Sequence, residues 1–538
     1  MKKKLILILI LALGILLRTI FVNSSPPSLY GDELTITLDA YSIFKTGHDQ
    51  LGNFLPLTFP MGAGRPAGYV YFTIPFVAIF GPAALGARGL SILSGIGLIL
   101  LIYLALKKTF SERVGIIAAA LYAVSLWDIS LSRGGFEAHF ALFLVILGLY
   151  LFLEAKEKPI FYLFSAISFG LTFHTYPTYK LNLLWFLPLL FIFGGAKTTL
   201  DYGKNYLFGG LIILLILGIL SLSQTFVGGS ETRFLNINVF SQVKLKSNIE
   251  EKINFERTIN KLPNNITRFF HNKPVEYIKV IGENYLQNFS MDFLFIHGDR
   301  NPRHNMATMG ELYFMEIILI PLGMLYLWNK YRKILMFLII WLILAPISTA
   351  IVGLPHALRS SFMLPPLITL SALGLSIIIR QKTLIPLFIT SIFFVIQVTF
   401  FLQKLLFLAP YEYNSFWSYP AKLGSELAIQ NKDKYDYIFL SDRLDSVEFA
   451  YPVYARVDPK DIIDRNNNKI NLGKYTFKKF GNVYIGNIPN QEIDNFLDNL
   501  RARVLYLGDL TDLKYLKSYE TINGVDNTDS LLLTKRNL

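Results

Sequence analysis

The chain has no cysteine. Disulfides, thiolate metal sites and cysteine nucleophiles are therefore excluded, although this absence does not identify a redox compartment. Charge is the second scarcity: 17% of residues are Asp, Glu, Lys or Arg, against about 25% in ordinary soluble domains. The deficit is concentrated in apolar runs of roughly 17–22 residues, long enough to cross a hydrocarbon core of about 30 Å. Within those runs ionisable side chains are few. Ion-coupled transporters and pumps place acids or bases near the bilayer midplane, where the coupled ion is held. There is also no fixed-period repeat and no low-complexity tract. What is present is apolar: 53% of 538 residues are hydrophobic, and composition predicts a helical membrane protein.

The formal net charge of +13 does not point to nucleic acid, because no basic stripe with interleaved aromatics occurs. Much of the Lys and Arg instead sits between apolar runs, where it sets topology. Those runs lie near 5–22, 88–106, 114–131, 136–153, 160–174, 181–193, 206–226, 312–328, 334–352, 361–379 and 383–402. The first follows Met1-Lys2-Lys3-Lys4 and has no clean small-x-small cleavage site after it, so it reads as an uncleaved anchor. A shorter stretch, Tyr69 to Phe80, is interrupted or bounded by Pro66, Pro75 and Pro82. Placed in the interface, it leaves every short basic loop cytoplasmic: Lys107/Lys108/Arg113, Lys156/Lys158, Lys197/Lys204, Lys330/Arg332/Lys333 and Arg380/Lys382.

The expected fold is therefore an α-helical polytopic membrane protein of about eleven transmembrane helices, N-terminus cytoplasmic. Residues 1–403 form its membrane domain, with outer loops 23–87 and 227–311. Residues 404–538 read as a small extracytoplasmic α/β domain. Tyr437-Ile438-Phe439-Leu440 and Val504-Leu505-Tyr506-Leu507 read as strands, and Asn466-Asn467-Asn468 as a turn.

The polar chemistry gathers at the outer ends of the helices. Asp32 and Glu33 follow the first helix in Tyr30-Gly31-Asp32-Glu33. Either they supply a general base for an acceptor hydroxyl, or they favour the N-terminal dipole of a helix starting near Leu34. The same loop carries Thr46-Gly47-His48-Asp49-Gln50-Leu51-Gly52-Asn53 and then Arg65-Pro66. Glu137 lies in Ser132-Arg133-Gly134-Gly135-Phe136-Glu137, where Arg133 is either its ion-pair partner or a separate substrate group. His174-Thr175-Tyr176-Pro177 forms another outer turn, although an aromatic belt at the interface also accounts for its tyrosine. His297, Asp299, Arg303, His304 and Glu311 close the long outer loop, and histidine with acids is compatible with a divalent cation, although no spacing is diagnostic. His356-Ala357-Leu358-Arg359 adds a guanidinium suited to phosphate, with snorkelling to the interface as its bland explanation.

In this order the segments resemble the GT-C superfamily, in the branch of protein O-mannosyltransferases and aminoarabinose transferases. The marks are Gly31-Asp32-Glu33, Thr46-Gly47-x-Asp49-x-x-Gly52-Asn53, Ala87-Arg88, Leu131-Ser132-Arg133 with Glu137, Thr175-Tyr176-Pro177 and Pro355-His356-Ala357-Leu358-Arg359. The resemblance covers about the first 400 residues and says nothing of the C-terminal domain. It implies a transferase that moves a monosaccharide, with inversion, from a polyprenyl-phosphate donor to a hydroxyl on a lipid, glycan or protein acceptor. It places Asp32 as catalytic base, with Glu33 adjacent and Glu137 as the second acid, where many relatives carry Asp. Asp49, Arg65, Arg133, Tyr176, Arg303, His304, His356 and Arg359 are the expected substrate-binding residues, with Arg359 nearest the lipid phosphate. No metal ligand is assigned. A bacterial or archaeal plasma membrane fits. The rival readings are a transporter or flippase of lipid-linked sugars, a polysaccharide polymerase or ligase, and a noncatalytic surface scaffold.

Overall fold

The computed structural model describes residues 2–60, 64–194, 196–227, 238–381 and 384–536. Lys382 of the expected basic loops and 228–237 of the long outer loop lie outside the described residues. Most of the described residues in each of the eleven apolar runs are helical. The first ten helices are α1 Lys2–Thr19, α2 Gly31–Thr46, α3 Gly68–Phe80, α4 Ala84–Thr109, α5 Glu112–Ala123, α6 Leu126–Ser132, α7 Glu137–Glu154, α8 Phe161–Phe173, α9 Pro177–Phe193 and α10 Ala196–Val227. Among the described residues, six helical stretches are by length and hydropathy sufficient to cross a membrane, and α5 with α6, bent by 58°, makes a seventh. The chain is a multi-pass membrane protein. The bend has a local cause: Ser125 ends one helix and caps the next by accepting from the Asp128 N–H.

The shortage of ionisable groups along each run conceals a buried cluster. Arg18 of α1, Asp128 of α6 and His139 of α7 meet with no solvent exposure. Arg18 Nη2 lies 2.5 Å from Asp128 Oδ2, and His139 Nε2 lies 2.8 Å from Oδ1. The guanidinium also donates to the carbonyls of Gly14, Tyr122 and Ala123. Each charge looks isolated in sequence because its partner is on another helix. Arg18 and Asp128 are buried together with their polar atoms hydrogen-bonded, so the pair escapes the penalty of an unpaired buried ion, while His139 keeps Nδ1 without a partner among the described residues.

Two helices lie between the first span and α4. In α2 the acids occupy the first turn, which suits the dipole, and Gly47 ends it in the left-handed region at φ 76°. A two-stranded hairpin follows, β1 Thr58–Phe59 and β2 Arg65–Pro66, with Phe59 opposite Arg65. Then comes α3, whose first residue must be small. A Cβ at Gly68 would approach the His174 carbonyl oxygen at 2.6 Å, and the Gly68 N–H donates to that same oxygen. This contact sets the Thr175-Tyr176-Pro177 turn against the start of α3.

The last third of the chain contains a seven-stranded mixed sheet, as the sequence leads one to expect of an α/β unit. Its strands are β3 Tyr437–Ser441, β4 Ile470–Leu472, β5 Tyr475–Phe480, β6 Val483–Gly486, β7 Val504–Gly508, β8 Glu520–Asn523 and β9 Asp529–Arg536, in the order β4-β5-β6-β3-β7-β9-β8. The central β3 is parallel to both β6 and β7, and the outer pairs are antiparallel. Asn466-Asn467-Asn468 is not a free turn but the end of the helix Pro459–Asn467. There Asn466 and Asn467 donate to the carbonyls of Gln50 and Leu51, in the turn after α2. Leu29, Leu34, Leu38 and Ala87 bury with Ile438, Leu440, Val447 and Tyr451 in one apolar cluster. The segment between α1 and α4 and the C-terminal sheet therefore share a core, which fixes the second against the first.

Candidate functional site

The two acids that open α2 face different surroundings. Glu33 is fully buried and takes a bidentate ion pair from Arg88, at 2.8 and 3.1 Å. It also accepts the N–H of Gly135 at 2.9 Å and of Tyr30 at 3.3 Å. Arg88 in turn holds the carbonyls of Val22 and Ser28. Glu33 thus pins the exit of α1, the start of α2 and the loop before α7, and presents no oxygen to a substrate.

Asp32 points outward, with half of its side chain exposed. Its Oδ1 lies 2.7 Å from Arg65 Nη2, and Oδ2 has no partner among the described residues. Arg65 is fully buried, donates from Nη1 to Thr35 Oγ1 at 2.9 Å, and brings Nε to 2.6 Å from Glu137 Oε1. That last contact is coulombic rather than hydrogen-bonded, since its N–H is not aligned on the oxygen. One guanidinium therefore bridges two carboxylates 105 residues apart in sequence, 137 less 32. Burial alone would lower the proton affinity of Arg65, but Glu137 and Asp32 raise it above its ordinary value. The sequence pairing of Arg133 with Glu137 does not occur. Arg133 is buried and spends its donors on the carbonyls of Ser25 and Leu17, because Arg65, arriving from the hairpin, already occupies the space beside Glu137.

Asp39, two turns further along α2, is buried with Oδ1 accepting two bonds from Gln50 and Oδ2 unpartnered. Burial raises its pKa from the ordinary 3.8 to about 7. Between those values the folded chain keeps a proton that the unfolded chain has lost, so stability falls as pH rises through this window. An Asp39→Asn variant has no such proton to lose. The melting temperature of wild type is therefore expected to drop relative to that variant between about pH 4 and about pH 7, and parallel melting curves across that range contradict the assignment.

Over Asp32 lies a cavity of about 260 Å³, walled by Tyr30, Asp32 and Arg303 on one side and Asp445, Ser446 and Phe449 on the other. The Arg303 guanidinium sits 5.3 Å from the Tyr30 ring centre and pairs with Asp445 at 3.2 Å. A larger cavity of about 420 Å³, containing Asp442, Lys469 and Asn487, lies in the C-terminal sheet and includes none of the anticipated residues.

Beside the acids stands a second group. His304 Nδ1 is 3.1 Å from Asp299 Oδ2, and the rings of His304 and His356 lie 4.2 Å apart, tilted by 40°. His304 also meets Phe136, the neighbour of Glu137, at 5.8 Å. Donor atoms of Asp299, His304 and His356 lie within 4.8 Å of one another. His356 Nδ1 is buried without a hydrogen-bond partner, and burial followed by His304 pushes this imidazole well below its ordinary pKa. A neutral imidazole with an unused nitrogen is the form a metal takes, so these residues fit a divalent cation. Arg359 lies close enough to depress His356 electrostatically, and it has no hydrogen-bond or ion-pair partner among the described residues.

Two anticipated residues serve locally. Asp49 is buried and accepts from the Leu51 and Asn53 N–H groups and from Asn53 Nδ2, closing its own turn. Tyr176 is buried, with its ring 5.8 Å from that of Tyr179.

A model of the dolichyl-phosphate-mannose-protein mannosyltransferase family matches residues 64–221. ArnT from Cupriavidus metallidurans, crystallised with undecaprenyl phosphate, superposes with a TM-score of 0.55 at 12% identity, over 98% of this chain and 97% of its own. The chain has a GT-C fold. The resemblance to the O-mannosyltransferase and aminoarabinose-transferase branch holds. The oligosaccharyltransferase AglB from Archaeoglobus fulgidus, in complex with an inhibitory peptide and a dolichol-phosphate, aligns at 14% identity and a TM-score of 0.46, over 100% of this chain and 74% of its own. No curated protein matches. Within this GT-C chain, sequence reasoning missed Asp39 as a buried acid and Asp445, Ser446 and Phe449 as walls of the cavity. The first looks like a polar residue on an exposed helix, and the others lie in a domain without a recognisable motif.

Proposed function

We propose that this GT-C chain is a glycosyltransferase that moves a monosaccharide from a polyprenyl-phosphate donor to an acceptor hydroxyl on the extracytoplasmic face, inverting the anomeric centre. The observation that carries the reading is Asp32, an exposed carboxylate with one oxygen held by buried Arg65 and the other unused, opening onto a cavity. A base needs that combination: one oxygen to fix its direction and one to take a proton. The acceptor oxygen attacks the anomeric carbon, its proton passes to Asp32 Oδ2, and the carbon–oxygen bond to phosphate breaks with its electron pair. The phosphate departs as an anion, so no general acid is required. Arg65 and Glu137 hold Asp32 in place, and Glu33 acts one step further back through Arg88. The donor's lipid tail lies among the helices, in the bilayer of the plasma membrane. The N-terminus is cytoplasmic and the C-terminal domain extracytoplasmic, consistent with the short basic loops.

Arg359 receives the donor phosphate. Its planar fork suits two phosphate oxygens, and no carboxylate among the described residues competes for it. Arg359→Gln is expected to raise the donor KM by about tenfold or more, the worth of a lost charge-assisted bond, with a smaller change in kcat. An unchanged donor KM removes Arg359 from this role. A divalent cation, where one is used, is held by Asp299, His304 and His356 rather than between Asp32 and Glu137, where Arg65 already supplies the positive charge.

The direct test is transfer by purified protein in nanodiscs from labelled polyprenyl-phosphate sugars, with product configuration read by NMR. Formation of an inverted glycoside supports the reading. Movement of the intact lipid-linked sugar across vesicles, without cleavage of the phosphate bond, contradicts it.

A further inference from the structure

We infer that the acceptor is a neutral saccharide and that the C-terminal domain builds half of its binding site, with Asp445 and Arg303 as a polar clamp and Phe449 as the apolar face. This rests on the transfer reaction proposed above and adds the substrate class.

The wall supplied by the C-terminal domain is fitted closely to α2. A Cβ on Gly31 would come within 2.7 Å of Ser446 Oγ, so glycine at the helix start is what admits this segment over Asp32. Ser446 itself holds φ 63°, a left-handed conformation uncommon for serine. The helix that follows, Val447–Tyr454, is mounted on α2 through the shared apolar cluster of Leu34, Leu38, Val447 and Tyr451. The polar groups are oriented as well. Asp445 Oδ2 accepts from Ser418 Oγ at 2.6 Å and Arg303 Nη2 at 3.2 Å, while Oδ1 accepts from Ser446 Oγ at 3.1 Å. Arg303 Nε is anchored on the Phe416 carbonyl, and Nη1 has no partner among the described residues.

A sugar ring matches this wall. Its hydroxyls accept from guanidinium and donate to carboxylate, and its C–H face lies against an aromatic ring. Tyr30 is buried beneath Arg303, whereas Phe449 is half-buried, with Lys478 Nζ over its ring at 5.8 Å, and is the more open aromatic wall of the cavity. The volume of about 260 Å³ falls just below the roughly 300–1,000 Å³ of pockets for drug-sized ligands, which favours one ring over an extended peptide. Arg303 is matched by Asp445 and Arg65 by two carboxylates, so there is no surplus positive charge for an anionic acceptor.

The experiment is saturation-transfer NMR on the full chain in nanodiscs, with methyl α-mannoside, methyl β-glucoside and a short serine peptide as probes, alongside binding of undecaprenyl phosphate. At least one glycoside is expected to receive saturation, strongest on its ring C–H protons. Asp445→Asn and Phe449→Leu should each weaken that signal about tenfold, the scale of a lost hydrogen bond or apolar contact. Retained binding of undecaprenyl phosphate by both variants is the folding control. Saturation of the peptide but of neither glycoside, or glycoside signals undiminished in both variants, overturns the saccharide site. Failure of wild type to bind undecaprenyl phosphate instead sinks the donor reading, and leaves the saccharide result to stand separately.

Discussion

Asp32→Asn is expected to lower transfer by about 10²–10⁴-fold, the usual contribution of a positioned acid or base, while donor affinity stays near that of wild type. Asparagine is isosteric and still accepts from Arg65 at Oδ1, so the bridge to Glu137 keeps its shape. What disappears is the second carboxylate oxygen, now an amide that cannot take a proton. The loss should therefore fall on kcat, because the interaction removed is one made only as the proton moves. A correctly folded Asp32→Asn protein with undiminished transfer eliminates Asp32 as the base. A variant that loses donor binding together with kcat shows that the residue acts in assembly of the site.

Arg65→Gln has the largest expected effect on the protein itself. The wild-type guanidinium meets three partners with three different nitrogens, and all of it is buried. Removing it leaves Asp32 and Glu137 facing each other across a neutral amide, with Asp39 nearby. Breaking a buried ion pair in this way costs about 3–5 kcal/mol, and misplacement of Asp32 should also reduce transfer by about a hundredfold. Lysine is a poor substitute, since one ammonium cannot span three directions. The coupling can be isolated: Glu137→Gln should be destabilising alone but should restore part of the melting temperature in the Arg65→Gln background. Equal melting temperatures for wild type and Arg65→Gln, or strictly additive effects in the double variant, contradict the bridge.

The helices were legible because spanning a hydrocarbon core imposes a length and an apolar composition, and six of the helical stretches among the described residues, or seven with the bent pair, show both. Strands β3 and β7 were legible for a similar reason, as apolar segments buried at the centre of a sheet. The Asn466–Asn468 segment was misread because its side chains cap carbonyls more than 400 positions away in sequence, information that no local window contains. Asp32 and Glu33 illustrate the same limit within the site. Adjacent in sequence, they look like two equivalent acids. The first helical turn sends one toward Arg88 and the other toward solvent, so their roles separate only in three dimensions. Arg65 and Glu137 were both anticipated as site residues, but their partnership was not, because Arg133 is the nearer cation along the chain. The cavity wall contributed by Asp445 and Phe449 left no readable signal.

The most direct measurement is a cryo-EM structure of the full chain in nanodiscs with undecaprenyl phosphate. The account predicts lipid among the helices and the phosphate within about 3.2 Å of the Arg359 guanidinium, on the side of the histidine pair that faces Asp32. A phosphate bound at the opposite membrane face, or out of reach of Arg359 with Asp32 turned away from it, would separate the acid from the donor and contradict the account.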